Sequence, residues 1–243
     1  MPTVGELTAV YGNFMLGPRP GPDVCRTCFT FTDGYERCYR CAETEGPLEL
    51  AAPISYSVAR EQLHHALAGY KRYGGEVARR LGAELAGVLW RFLAAHESCL
   101  TRAAGVAGFE LVTTVPSGDP ARDERHPLRR LVAEAVAPTR DRHERLLIRS
   151  RADTPPRTFD PDKFAATRRL NGEAVLLIDD TWTTGTSAQS AAAALRHAGA
   201  GRIAGVVIGR HLKREWHEND RRLRGVTRPF DWGRCAFCAD CPR

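Results

Sequence analysis

A chain of 243 residues, 43% hydrophobic and 26% charged, is long enough to bury one sizeable core with appendages. Its apolar runs are too short to span a bilayer, and the first residues place no basic patch ahead of an apolar stretch. The expectation is therefore a cytoplasmic protein with reduced thiols and no membrane partner. A net charge of +6 suits a polyanionic ligand, whether a phosphorylated metabolite or a nucleic acid, and does not choose between them.

Residues 1–22 are rich in Gly and Pro without sustained periodicity, and read as an irregular leader. Residues 23–47 then carry Cys25-Arg26-Thr27-Cys28 and Cys38-Tyr39-Arg40-Cys41, separated by a short Gly-containing hairpin at Thr32–Tyr35. Two CxxC pairs at this spacing supply four thiolates for a closed tetrahedral zinc site, a zinc knuckle. The site is structural rather than catalytic, since four thiolates leave no open position. The segment has too few apolar residues to fold without metal.

Residues 48–210 form the main domain. Leu48 to Val58 reads as one or two strands and Glu61 to Gly69 as a helix. The segment Tyr70-Lys71-Arg72-Tyr73-Gly74-Gly75 breaks that helix. It is either a solvated helix end or a loop that touches phosphate through Lys71. Glu76 to Arg102 is the longest helical stretch, with Val77, Leu81, Leu85, Val88, Leu89, Phe92 and Leu93 at spacings of three and four. On it, Trp90, His96 and Cys99 read as packing or surface residues. Phe109 to Pro116 is a β-rich run ending in a turn at Ser117-Gly118-Asp119. The basic segment after it contains Arg125 and His126, with Pro127 opening a helix to Val136. Arg145 to Arg149 is a short strand. Ser150 to Asn171, charged and Pro-containing, is long enough to be a mobile loop, with a short helix expected near residues 161–168.

The most informative stretch is Val175-Leu176-Leu177-Ile178-Asp179-Asp180-Thr181-Trp182-Thr183-Thr184-Gly185-Thr186-Ser187. A strand from Glu173 to Ile178 runs into two acids, then into a Thr/Gly/Ser turn and a helix over Ala188–Ala198. A further strand follows at Ile203–Ile208. This is a βαβ unit and calls for a parallel sheet. Adjacent carboxylates can accept hydrogen bonds from a vicinal diol and orient a hydrated Mg²⁺. Thr183, Thr184, Gly185, Thr186 and Ser187 offer hydroxyls and amides at a helix N-terminus, which suits a phosphate monoester.

The tail, residues 211–243, is basic as far as Arg228: from Arg210 there are seven Lys/Arg against three acids. It reads as a solvated helix or a nucleic-acid patch. It ends in Cys235, Cys238 and Cys241 at CxxCxxC spacing, the core of a second zinc site that needs a fourth ligand. His211, His217, Cys99 and Asp240 are candidates. The spacing also resembles part of an iron–sulfur motif.

The stretch at 175–187 resembles the phosphoribosyl pyrophosphate (PRPP) signature of type I phosphoribosyltransferases. With a four-cysteine knuckle ahead of it, the layout resembles the ComF-like family, associated with DNA uptake in competent bacteria. The resemblance covers most of residues 24–210. It implies an α/β, type I phosphoribosyltransferase fold: a mostly parallel sheet flanked by helices. It assigns Asp179 and Asp180 to the ribose hydroxyls and catalysis, Thr183–Ser187 to the 5′-phosphate, and Val115, Pro116, Ser117 and Gly118 to the pyrophosphate loop. Lys71 and Arg125 join the PRPP-binding set, residues 150–170 become the loop that closes over the site, and Mg²⁺ accompanies PRPP. The activity implied is transfer of ribose 5-phosphate from PRPP to an acceptor the sequence does not identify. The alternatives are an accessory protein binding single-stranded DNA or a DNA-uptake protein, and a PRPP-sensing regulator; a homodimer is a further expectation. The chain departs from the family at Arg125-His126-Pro127-Leu128-Arg129, where Arg-Gly-Phe-Asn-Gln is usual, and at Trp182, where an aliphatic residue is usual.

Overall fold

A computed structural model describes residues 2–43, 47–117, 123 and 126–238. Its centre is a four-stranded, wholly parallel sheet in the order β1 (Leu50–Val58), β6 (Ile203–Leu212), β5 (Val175–Trp182), β2 (Leu111–Thr114). A two-stranded antiparallel ribbon, β3 (Leu147–Arg149) with β4 (Phe164–Ala166), lies apart from it. The chain is thus α/β, with a mostly parallel sheet flanked by helices and a cysteine cluster near the N-terminus. No helix among the described residues is long and apolar enough to cross a membrane.

Strands buried on both faces must be apolar throughout, and β1 is buried at all nine positions. Alternation along β5 then divides two cores. Leu176 and Ile178 face one way, toward α4 (Gly75–Ala104), where Leu85, Val88, Leu89, Phe92 and Leu93 meet them. Val175 and Leu177 face the other way, toward α7 (Thr186–His197), whose Ala191, Ala192 and Leu195 lie flat against the sheet. Small alanines on that face let the helix approach closely. Both helices stop at left-handed glycines, Gly105 at φ 69° and Gly199 at φ 104°. In each, the next amide reaches back to the last turn, Val106 N to Thr101 O and Ala200 N to Leu195 O, both at 3.0 Å.

Several elements differ from the sequence expectation. Residues 1–22 are not irregular throughout. α1 (Val4–Thr8) is closed by a reciprocal Thr3–Glu6 capping box, and Tyr11 and Met15 are buried in the core beside α4. The Leu7 and Thr8 side chains pack over Gly87 of α4. α3 (Gln62–Arg72) continues through Tyr70, Lys71 and Arg72 instead of breaking before them. The helix expected near residues 161–168 is instead β4, because Phe164 to Ala166 finds an antiparallel partner in β3. β5 runs four residues further than expected, since Asp179, Thr181 and Trp182 keep their pairing with Val207, Gly209 and Arg210. Short elements α2 (Tyr39–Glu43), α5 (Pro127–Arg130), α6 (Ala137–Arg140) and α8 (Asn219–Arg224) complete the chain. α5 runs into a π-helical turn at Leu131–Ala135.

Leu176 is fully buried on β5, in the core that α4 covers. We expect Leu176→Ala to cost about 2–5 kcal/mol, read as a lower midpoint in urea denaturation with an unchanged slope.

Candidate functional site

The carboxyl end of the sheet gathers most of the described residues singled out in the sequence. Asp179 and Asp180 lie in the last half of β5, Asp179 half-buried and Asp180 fully buried. A buried carboxylate needs partners. Asp180 has two from the last turn of α3: the Tyr70 hydroxyl donates to Oδ2, and Lys71 Nζ lies 2.5 Å from the same oxygen. Lys71, expected at phosphate, is therefore engaged with an acid. Asp179 takes only the Asp180 amide, at 2.8 Å to Oδ1, and its Oδ2 accepts no hydrogen bond from the described residues. Burial, then the charge of Asp180, pushes the Asp179 carboxyl up to about 7. Burial also drives the Tyr70 phenol well above its usual range, reinforced by Asp180.

Beyond β5 the chain turns through Thr183 and Thr184 into Gly185, which sits at φ 81° and forms the N-cap of α7. Gly185 is required twice over. The left-handed backbone disfavours a side chain, and a Cβ there would lie 2.2 Å from the Trp182 indole. Trp182 thus lies folded against the turn, with its buried Nε1 lacking a partner among the described residues. No side chain among the described residues caps α7, and the hydroxyls of Thr184 and Thr186 lie 3.1 Å apart beside its amide end. Lys163, from the segment before β4, reaches in and donates to Ser187 Oγ at 3.0 Å. Burial, then Arg149, depresses its ammonium.

On the other flank, Val115 and Pro116 are buried and Ser117 is half-buried at the end of β2. The Ser117 amide donates to Asp123 Oδ1 at 2.9 Å, and Arg145 holds the other oxygen at 2.7 Å. His126 follows, in the field of Asp180, Lys71, Asp123 and Arg129. Burial lowers its basicity, and its Nδ1 has no described partner. Gly118 and Arg125 lie outside the described residues.

Behind the turn stands the first cysteine cluster. The sulfurs of Cys25, Cys28, Cys38 and Cys41 all lie within 4.8 Å of one another, with Cys28 and Cys38 3.8 Å apart. The first pair sits on a tight turn made by the left-handed Phe29 (φ 57°) and the Cys25 N to Thr30 O bond at 2.8 Å. The second pair opens α2. Hydrogen bonding with Cys28 lowers the Cys25 thiol, and hydrogen bonding with Cys25 raises that of Cys41. These four could hold a metal such as zinc.

One side chain joins this cluster to the turn. Arg210, buried on β6, shares a row of the sheet with Trp182 and Tyr56. Its Nε donates to Cys28 O at 2.9 Å, while Nη1 donates to the carbonyls of Trp182 and Thr183 at 3.1 and 3.0 Å. Nη2 lies 3.7 Å from Cys28 Sγ. Sequence reasoning missed Arg210, as it missed Tyr70, Asp123 and Lys163. Each is an ordinary polar residue whose role arises only when segments distant in sequence meet.

The C-terminal cysteines meet residues expected only to pack. Cys235 and Cys238 come together with His96 and Cys99 of α4, all four ligand atoms within 4.8 Å, and this group too could hold a metal. Cys99 was among the candidate fourth ligands; His96 was not. His211 instead stacks near His64, with ring centroids 5.2 Å apart, and His217 lies beside Trp216. Cys241 and Asp240 lie outside the described residues.

A cavity of about 700 Å³ opens at the opposite end of the sheet, beside Glu49, Phe109, Arg196 and Arg202. Within it Glu49 pairs with both arginines. No protein-family model matches the chain, and no curated protein matches it.

Removing the Arg210 guanidinium withdraws the donor from four carbonyls, those of Cys28, Trp182, Thr183 and His211. Arg210→Met is expected to cost about 3–5 kcal/mol in chemical denaturation, and Arg210→Lys to recover only part, since one ammonium cannot span both sides. A loss under about 1 kcal/mol for Arg210→Met would contradict the bridge. Asp179 holds its proton more tightly folded than unfolded. Its contribution is full below its ordinary pKa of 3.8 and is lost as pH rises toward about 7. The unfolding free energy of the wild type should therefore fall relative to Asp179→Asn across that window.

Proposed function

We propose that the carboxyl end of the sheet binds a ribose 5-phosphate ligand, PRPP foremost, and that the domain is a type I phosphoribosyltransferase of ComF-like kind. One observation carries this reading: Asp179, with a carboxylate oxygen uncommitted among the described residues, stands one turn away from a helix N-terminus that no described side chain caps and that is entered through a left-handed glycine. A vicinal diol and a phosphate monoester on one small sugar are the groups that answer those two features together.

In this reading Asp179 and Asp180 receive the ribose hydroxyls, and Thr183–Ser187 cradle the 5′-phosphate with Lys163 alongside. Tyr70 and Lys71 hold the Asp180 carboxylate fixed in rotamer. The turn at Val115–Ser117, pinned by Asp123, faces the pyrophosphate, with His126 and Arg129 next to it. The hard oxygens of the acid pair, together with the ligand's own, suit Mg²⁺, which when bound supplies charge neutralisation for the leaving pyrophosphate. Transfer breaks the bond from ribose C1 to pyrophosphate and forms one to the acceptor; the chain's part is to orient C1 and exclude water.

The nucleic-acid reading draws less support. The arginines of the tail are largely spent on neighbouring acids: Arg214 on Glu61 and Asp220, Arg221 on Glu218, Arg222 on Asp33 and Arg224 on Asp220. A patch already paired releases few counterions on a phosphate backbone.

Calorimetric titration with PRPP and Mg²⁺ tests the assignment. Asp179→Asn and Asp180→Asn should each weaken PRPP by about 10–100-fold, the range of a charged hydrogen bond, while leaving inorganic phosphate binding within about 3-fold. No PRPP binding by the wild type would sink the proposal. Binding without pyrophosphate release over a panel of nitrogenous acceptors would recast the protein as a sensor.

A further inference from the structure

We infer that His96, Cys99, Cys235 and Cys238 form a second structural zinc centre, bound through His96 Nδ1, which clasps the C-terminal tail to α4. The ligand set and its geometry come from segments far apart in sequence. His96 and Cys99, three residues apart on α4, point from one face of the helix. Cys235 and Cys238 sit on a tight turn of the tail, closed by a Cys238 N to Cys235 O bond of 3.3 Å.

The spacings are those of a coordination shell. A tetrahedron with bonds of about 2.3 Å has edges of about 3.8 Å. Here Cys235 and Cys238 sulfurs are 3.6 Å apart, Cys99 and Cys238 3.9 Å, and Cys238 Sγ lies 3.8 Å from His96 Nδ1. These separations are far beyond a disulfide bond of about 2.05 Å.

The surroundings are built as well. His96 Nε2 lies 2.9 Å from the Trp232 carbonyl, which can only accept. The proton therefore sits on Nε2, and the Nδ1 lone pair faces the sulfurs, the arrangement a metal-bound imidazole requires. Main-chain amides turn toward the thiolates, Cys235 N to Cys238 Sγ at 3.1 Å and Phe237 N to Cys235 Sγ at 3.4 Å. Such donors offset the charge that three sulfurs leave on a divalent ion. Arg91 stacks 4.4 Å over the Trp232 ring, and Arg102 donates to Phe237 O at 3.3 Å, so the helix grips the tail on both sides of the centre. Three thiolates and one imidazole select a borderline-soft ion of tetrahedral preference, which is zinc. The four positions are filled without Cys241.

Metal analysis of the full chain, purified without added metal, decides the matter. The expected content is two zinc ions per chain in the wild type and in Cys241→Ser, and one in His96→Ala and in Cys238→Ser. One zinc in the wild type overturns the proposal, as does iron in place of zinc. Loss of zinc in Cys241→Ser with retention in His96→Ala overturns the ligand set. X-ray absorption of the wild type needs no variant: seven sulfurs and one nitrogen over two zinc ions support the centre, and eight sulfurs exclude His96. Chelation should also free the tail, seen as faster cleavage after Leu223 in limited proteolysis than in the untreated protein. Equal cleavage rates would refute the clasp.

Discussion

The Arg210 guanidinium is the constraint on which the carboxyl end of this protein depends. An arginine buried to this degree is tolerated only if its planar donors find fixed acceptors. Here those acceptors belong to two neighbouring structures, the cysteine knuckle and the turn after β5. Because Arg210 is itself a rung of the sheet, the positions of Cys28, Trp182 and Thr183 are set against one rigid reference. The knuckle is then less an appended module than the back wall of the site. Tyr56, on the same row, donates to the Phe29 carbonyl at 2.8 Å and closes that wall from β1.

A second constraint acts on the acid pair. Two adjacent carboxylates at the end of a buried strand repel each other and resist desolvation. The fold answers asymmetrically. Asp180 receives a phenol and an ammonium, while Asp179 is left with one amide and a raised proton affinity. Neighbouring residues of the same type are thereby given different tasks. One is held by two partners on a single oxygen; the other keeps an oxygen that accepts no hydrogen bond from the described residues.

How much was legible in the sequence follows the range of the interactions. The strand, turn and helix from Val175 to His197 and the four N-terminal cysteines were readable, because periodicity, glycine punctuation and ligand spacing are local. The alternation of β5 between two cores also follows from its unbroken apolar run. Lys163 and Arg210 were not readable, since nothing in their own neighbourhoods marks them. The pairing of β3 with β4 was missed for the same reason: Phe164 to Ala166 is a strand only because Leu147 to Arg149 lies beside it. His96 was the plainest case. A histidine on an apolar helix face reads as packing until a tail 142 residues away brings sulfur to it.

The grip of both chain ends on α4 has a consequence for how the molecule is made. α1 packs over Gly87 near the middle of that helix, and the Cys235–Cys238 turn closes against its last third. During synthesis the first contact can form while the chain is still being extended. The second must wait until all six strands have been translated, because Cys235 follows β6. Closure of the tail on α4 is thus a contact of very long sequence separation, made only after the sheet's last strand is available.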